Sequence, residues 1–364
     1  LAQNNAYVKL DLSMKSSIFN AVGDFFALDM GSSAIRVVQL RGSGTNRTLV
    51  KYGAAPINVQ LALSDAQVDR AAIGSVIRQL LTESDITTKN VVVGLPANKT
   101  FVTVVDLPKM NPQELASTIK YQADQYIPMA VDDAKIDWSV LGDSPVEAGK
   151  TEVLLASVSN QFSEKRMELL ESIGLNVIGL EPESLALARS LSPVTGGQGA
   201  QMILDMGEYA TDIVMTLGGI PRLVRSIPTG GQSLLKSAKQ NLNIDDNQSR
   251  QFVYKFGFDK TKLEGQIFKA LEPSAQVIVT EIQKSMKFFA GRYKNAQLGG
   301  IVTSGAAALL PGFHQYISDA AGGVPVQAGN SWQNVSYSNS SHEQLMSLNH
   351  QFAVATGLAL RSSI

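Results

Sequence analysis

The chain has 364 residues, 44% of them hydrophobic and 17% charged, with a formal net charge of -1 and no cysteine. That length exceeds what one hydrophobic core usually holds and predicts two domains of ordinary globular composition. The charge balance argues against a general nucleic-acid binder, and the missing cysteine excludes disulfide frameworks, thiolate metal centres and thiol nucleophiles. The histidines, His314, His342 and His350, lack metal-ligand spacing. No apolar run is long enough to cross a bilayer and no signal peptide is visible, so a soluble intracellular protein is the expectation.

Residues 1–13 precede Met14, which reads as a natural start. Val8, Leu10 and Leu12 alternate with Lys9 and Asp11, the period of a strand with one apolar face. Two readings of this leader stay open: an expression tail, or a short partner peptide joined to the chain. Ile18, Phe19, Val22, Phe25 and Phe26 follow at roughly helical spacing. They predict packing on the body, because the basic face of a membrane-surface helix is missing. Leu28-Asp29-Met30-Gly31-Ser32-Ser33 then reads as a strand ending in an acid and a tight turn lined with hydroxyls, with Ala34 to Leu40 as the return strand. Gly31 lets backbone approach an anion, the N–H groups and the Ser32 and Ser33 hydroxyls suit phosphate oxygens, and Asp29 offers hard oxygens to magnesium. Such a stretch also makes an ordinary turn.

Thr48 to Tyr52 returns as a strand. Ser64 with Gln67 predicts a capping box opening a helix that buries Val68, Ala72, Ile77 and Leu80. Val91 to Leu95 is a buried strand stopped by Pro96, which completes an α/β alternation. From Ala97 the pattern changes. A strand to Leu107 precedes Asn111-Pro112-Gln113-Glu114, a helix start with N-cap, early proline and a Glu reaching back. Strands over Ile136 to Leu141 and Glu152 to Val158 complete a small inserted subdomain. Ser163 to Ile173 is a helix closed by Gly174, and Leu175 to Leu180 a strand. Glu181-Pro182-Glu183-Ser184 then opens a helix through Arg189. Glu181 has two readings, as a complement to the helix dipole or as a group that positions a water or a metal's hydration shell.

After a Gly-rich linker over Ser192 to Gln201, Leu204-Asp205-Met206-Gly207 repeats the earlier Leu28-Asp29-Met30-Gly31. Internal repetition predicts two similar halves; if each contributes one acidic hairpin, a phosphate chain with its metal could be gripped between them. Thr229-Gly230-Gly231-Gln232 enters a helix, where the glycines suit a ribose or phosphate as well as a plain turn. Asn241 to Gly257 reads as one polar helix, with Lys255 near its end. Ile278, Ile282, Met286, Phe289 and Tyr293 mark a long amphipathic helix. Gly300 to Gly305 is a strand running into Ala306-Ala307-Ala308, small side chains that leave room for a flat base. Ser331 to Gln344 reads as a polar loop, and Phe352 to Leu360 as a small-residue helix.

Together, two Asp-x-Gly hairpins, a Glu between them and a late Ser-Gly-Ala turn resemble the actin-like ATPase superfamily of actin, the Hsp70 chaperones, sugar kinases and the division protein FtsA. The run Asp106-Leu107-Pro108-Lys109-Met110-Asn111-Pro112-Gln113-Glu114-Leu115, with Gln125-Tyr126-Ile127-Pro128, resembles the PilM family of type IV pilus assembly. Val153-Leu154-Leu155-Ala156, Gly174-Leu175, Glu181 and Ala186-Leu187-Ala188-Arg189 extend the likeness over essentially everything after Met14. It implies an α/β, actin-like two-lobe fold of duplicated ribonuclease-H-like domains. Lobe 1 takes 14–96 and 159–200, a small α+β insertion takes 97–158, and lobe 2 takes 201–364.

The resemblance also implies ATP or ADP with Mg2+. Asp29 and Asp205 would hold the metal, and Gly31, Ser32, Ser33 and Gly207 would form the phosphate turns. Arg36 stands where relatives usually carry Lys, keeping the charge while changing donor geometry. Gly230, Gly231 and Lys255 would approach the ribose and adenine, Gly305 and Ala306 would lie beneath the nucleoside, and Glu181 is the candidate catalytic residue. Phe252 replaces a ribose-binding Glu, Ala306 a glycine, and Glu208 and Tyr209 small hydroxyl residues; with these departures at most slow ATP hydrolysis is expected.

PilM-like proteins are similar to adaptors at the inner face of the cytoplasmic membrane, reached only through partners. They capture the extended N-terminal peptide of PilN in a groove of the lobe with the insertion, beside other inner-membrane pilus assembly proteins. Tyr7-Val8-Lys9-Leu10-Asp11-Leu12 has that alternating character without the usual Asn-Leu-Leu-Pro core. An FtsA-like filament protein is the alternative, disfavoured because Ala359-Leu360-Arg361-Ser362-Ser363-Ile364 is no basic amphipathic helix. A small-molecule kinase ranks third, because no further polar cluster forms an acceptor pocket with its base.

Overall fold

The computed structural model describes residues 24–44, 46–63, 66–193 and 199–361. The leader with its candidate partner peptide, most of the run from Met14, and Ser64 lie outside the described residues. The chain divides into two compact units. The first runs to Ala186 and adds Val335–Tyr337 and the chain from Val354; the second holds Leu187–Asn334 and Ser338–Ala353.

In the first unit β1 (Phe26–Met30), β2 (Ala34–Arg41) and β3 (Thr48–Pro56) form an antiparallel meander, and β4 (Asn90–Leu95) runs parallel to β1. Phe26 thus opens a strand instead of closing a helical run. A separate antiparallel sheet follows, built from β5 (Thr100–Pro108), β6 (Ala134–Asp143) and β7 (Lys150–Ser159) in the order β5-β7-β6. β8 (Asn176–Pro182) then returns to the main sheet, parallel to β4, giving the order β3-β2-β1-β4-β8. Val91, Val92 and Val93 are fully buried, which is why β4 reads as a continuous apolar run without alternation.

The helix Gln67–Glu83 covers this sheet with Ile73, Ile77 and Leu80, but it begins without a side-chain cap, at Ala66. The predicted burial of Val68 is corrected, since Val68 is 80% exposed. Nine residues at about 100° each set Val68 half a turn from Ile77. In the inserted sheet the cap signal holds. Asn111 accepts from the N–H groups of Gln113 and Glu114, and the Glu114 carboxylate accepts from the Asn111 N–H at 3.1 Å. The helix Pro112–Gln122 so fixed packs Leu115 and Ile119 against Val105, Leu107, Val153 and Leu155, a core separate from that of the main sheet.

The second unit repeats the main-sheet topology. β9 (Ala200–Met206), β10 (Thr211–Leu217) and β11 (Ile220–Ile227) form the meander, and β12 (Leu298–Gly305) and β13 (Val326–Ala328) run parallel beside β9. Their order, β11-β10-β9-β12-β13, matches that of the first unit strand for strand. Ile278, Ile282 and Phe289 of the 27-residue helix Gln266–Arg292 join Met202, Leu204, Ile213 and Met215 in its core.

Two expectations are corrected here. Asn241–Gly257 is not one helix: Gly231–Leu242 ends at Asn243, left-handed at φ 52°, and Asp246–Phe256 starts afresh with Asp245 accepting from the Gln248 N–H. The stretch 331–344 is more than a loop, because Trp332 is buried with its indole N–H on the Leu345 carbonyl at 3.0 Å and a helix runs His342–Leu348. The chain from Val354 belongs with the first unit. Gly357 lies so close to Ala186 that a Cβ there would sit 1.9 Å from the Ala186 carbonyl oxygen. Among the described residues no helix is long and apolar enough to cross a membrane.

Candidate functional site: two acidic hairpin turns

The β1–β2 hairpin sets Asp29 opposite Arg36. The Arg36 Nη1 donates to Asp29 Oδ2 at 3.3 Å, with the two side chains 15% and 6% exposed. Burial pushes the Asp29 carboxyl up, and the guanidinium pulls it part of the way back. Gly31 closes the turn so tightly that a Cβ would lie 3.0 Å from the Ala34 carbonyl oxygen and 3.3 Å from Arg36 Nη1. The Ser33 carbonyl is anchored by the Ile57 N–H at 3.0 Å, while Ser33 itself is exposed and Ser32 half-buried. Asp29, Gly31 and Arg36 are thus in contact, with the two hydroxyl residues on the open side of the turn.

Glu181 lies in the same sheet. Val93 pairs Leu28 on one side, and the next residue, Gly94, pairs Glu181 on the other. It belongs to β8, and the helix begins only at Glu183, so the helix-dipole reading passes to Glu183. Glu181 is fully buried, and its carboxylate lies 3.4 Å from Arg361 Nη1. Arg47 holds that partner in place, donating to the Arg361 carbonyl at 3.3 Å and to the Gly42 carbonyl at 2.7 Å. A carboxylate and a guanidinium buried side by side offset part of each other's desolvation cost.

In the second unit a row of polar residues crosses one face of the sheet: Ser304, Asp205, Asp212 and Ser226 are successive partners on β12, β9, β10 and β11. Asp212 is pushed up to about 7, first by burial and then by the Asp205 charge, against a hydrogen bond from Ser226. Among the described residues its Oδ1 is buried without a hydrogen-bond partner. Sequence reasoning gave Asp212 no role. The signal was available, because positions 205 and 212 are symmetric about the turn and a hairpin makes them cross-strand neighbours.

Around the second turn the Gly207 N–H donates to the Ala210 carbonyl at 2.8 Å, and the Gly231 N–H to the Gly207 carbonyl at 3.0 Å. A Cβ on Gly230 would lie 2.5 Å from the Gly207 carbonyl oxygen, and one on Gly231 3.8 Å from the Ala306 Cβ. Gly305, at φ 64°, leaves 2.2 Å between a Cβ and the Met206 carbonyl oxygen and 3.2 Å to Asp205 Oδ1. Only glycine fits there. The structure therefore gathers Asp205, Gly207, Gly230, Gly231, Gly305 and Ala306 at one turn. Lys255 is exposed on the helix Asp246–Phe256, its ammonium 5.4 Å from the Phe256 ring. Glu208 does not stand alone, since its carboxylate accepts from the Gln232 side chain.

These donors suit the chemistry of a magnesium phosphate. Asp29 and Asp205 each bring hard carboxylate oxygens, and the glycine turns bring backbone to an anion. Among the described residues no three His, Asp or Glu converge on one point.

A profile of the family described as type IV pilus assembly protein PilM matches residues 27–363. Among solved structures, a PilM-PilN type IV pilus biogenesis complex is similar with a TM-score of 0.76 and 24% identity, over 93% of this chain and 98% of that one. Ethanolamine utilization protein EutJ from Carboxydothermus hydrogenoformans is similar with a TM-score of 0.54 at 15% identity, over 93% and 89%. MreB5 of Spiroplasma citri, bound to AMPPNP, reaches 0.51 at 12% identity, over 92% and 94%. The shared fold is the actin-like ATPase fold.

Proposed function

Because the chain belongs to the family of the type IV pilus assembly protein PilM, we propose that it works as a nucleotide-binding adaptor of the pilus assembly complex, at the inner face of the cytoplasmic membrane. The family supports the role in pilus assembly. The nucleotide part is carried by one observation: the same Asp-x-Gly turn stands at the same point of the same five-strand topology in both units. ATP or ADP is the ligand, and Asp29 and Asp205 hold its magnesium, which neutralises phosphate charge when bound. Gly31, Ser32, Ser33 and Gly207 meet the phosphates, with Arg36 adding a cation. Gly230, Gly231, Gly305 and Ala306 supply a surface without bulk for the nucleoside, and Lys255 approaches from the neighbouring helix.

Turnover is slow at most. Glu181 as the residue that orients water has to act from a fully buried position beside Arg361. Output is recruitment. A PilM-PilN complex is among the similar structures, and the proposed partner is the extended N-terminal peptide of PilN, bound to the lobe that carries the insertion 97–158. That insertion has its own core and its own edge strands, β5 and β6, on which a peptide can be held. Mg–ATP should raise the melting temperature of the full chain in proportion to the logarithm of its concentration. A synthetic PilN N-terminal peptide should bind with micromolar affinity or better, read by fluorescence anisotropy. A flat melting temperature contradicts the nucleotide half, and flat anisotropy the partner half.

A further inference from the structure

The helix Asn160–Ser172 starts at the residue after β7 ends, so it continues the central strand of the inserted sheet without a loop. Its side chains reach three other parts of the first unit. Asn160 donates to the Asp132 carbonyl at 2.8 Å, just before β6, and Glu164 lies 3.9 Å from Lys135 of β6. Glu168 lies 3.5 Å from Arg70 on the helix Gln67–Glu83. Arg166 reaches the end of β1, where its Nη1 donates to Met30 Sδ at 2.9 Å.

The same guanidinium lies 5.3 Å from the Phe162 ring, and Lys99 Nζ lies 6.0 Å from that ring. Lys99 directly precedes β5 and Asn160 directly follows β7. Both crossings between the main sheet and the inserted sheet therefore meet at Phe162. From there Arg166 extends the contact to Met30, the residue before Gly31. Aromatic face and thioether fix a planar guanidinium by shape as well as by charge. Met30 is 8% exposed, pairs Ile35 across the hairpin and directly precedes Gly31, so its side chain is held where the strand enters the turn.

We propose that Arg166 is a positioning residue for the Gly31–Ser33 turn, linking its geometry to the two strands on which the inserted sheet hangs. The link rests on the reading of that turn as the phosphate site. It couples whatever docks on the insertion to what binds at the turn, and coupling of this kind is reciprocal.

The test is hydrogen exchange on the full chain, unmutated and as Arg166→Ala, Arg166→Lys and Phe162→Leu, with a Mg–ATP titration of each. Arg166→Ala should speed amide exchange at 31–33 several-fold, leave the 207–210 turn unchanged, and weaken Mg–ATP about ten-fold. Arg166→Lys keeps the charge without the planar contact and should fall between. Unchanged exchange at 31–33 overturns the proposal, and so does equal acceleration at both turns, which marks general loosening. If Arg166→Ala does not fold, Phe162→Leu carries the same expectation at smaller size. Local acceleration at 31–33 in a chain that binds no Mg–ATP overturns the nucleotide reading while the positioning role stands.

Discussion

Glu181 and Arg361 show how far a residue's role depends on its partner. Their side chains are 1% and 4% exposed, 3.4 Å apart, and Arg47 braces the arginine from behind. Removing one member of a buried pair strands the other charge. Arg361→Ala should therefore destabilise the first unit by about 3–5 kcal/mol, and Arg361→Met with Glu181→Gln should recover much of that in urea unfolding. Asp212 gives a second residue-scale test, through pH. Its carboxyl rises from 3.8 to about 7 on folding, so the folded state keeps a proton that the unfolded chain has released between those values. Stability from this group is highest below about pH 4, falls as pH rises towards 7, and stays low above it. Asp212→Asn should match the unmutated chain near pH 4 and melt at a higher temperature at pH 8. Neither role was legible beforehand. Arg361 is 180 residues from Glu181, and no local pattern announces a long-range ion pair.

At the scale of elements, legibility followed how local the cause was. The helix Pro112–Gln122 was readable because its cap lies within four residues, Asn111 to Glu114. Asn111→Ala should cost about 1 kcal/mol in equilibrium unfolding. The helix Gln67–Glu83 was harder to place, since it starts without a side-chain cap and its period alone sets the start loosely. β8 hands over to the helix at Glu183 with no loop, so the helix-start signal of Pro182 and Glu183 masked the strand end that holds Glu181. Asn243 ended a polar helix by turning left-handed, a conformation asparagine tolerates and composition does not reveal. The turns themselves were readable, because glycine and its neighbours fix them within four or five residues.

For the molecule, the repeated Leu-Asp-Met-Gly was a sound guide. It marks the same hairpin in two sheets of the same strand order. The last helix, Ala353–Ala359, is a run of small residues whose packing partner no local pattern names. Its contact between Gly357 and Ala186 selects the first unit only in three dimensions. What the duplicated fold is for comes down to whether its turns bind a nucleotide. The most direct measurement is calorimetric titration of Mg–ATP into the full chain and into Asp205→Asn. That variant avoids stranding Arg36 as a change at Asp29 would. The account predicts one bound nucleotide per chain, weakened at least about ten-fold in Asp205→Asn while the melting temperature without ligand is not lowered. Absence of heat and of competition by ADP in the unmutated chain would contradict it.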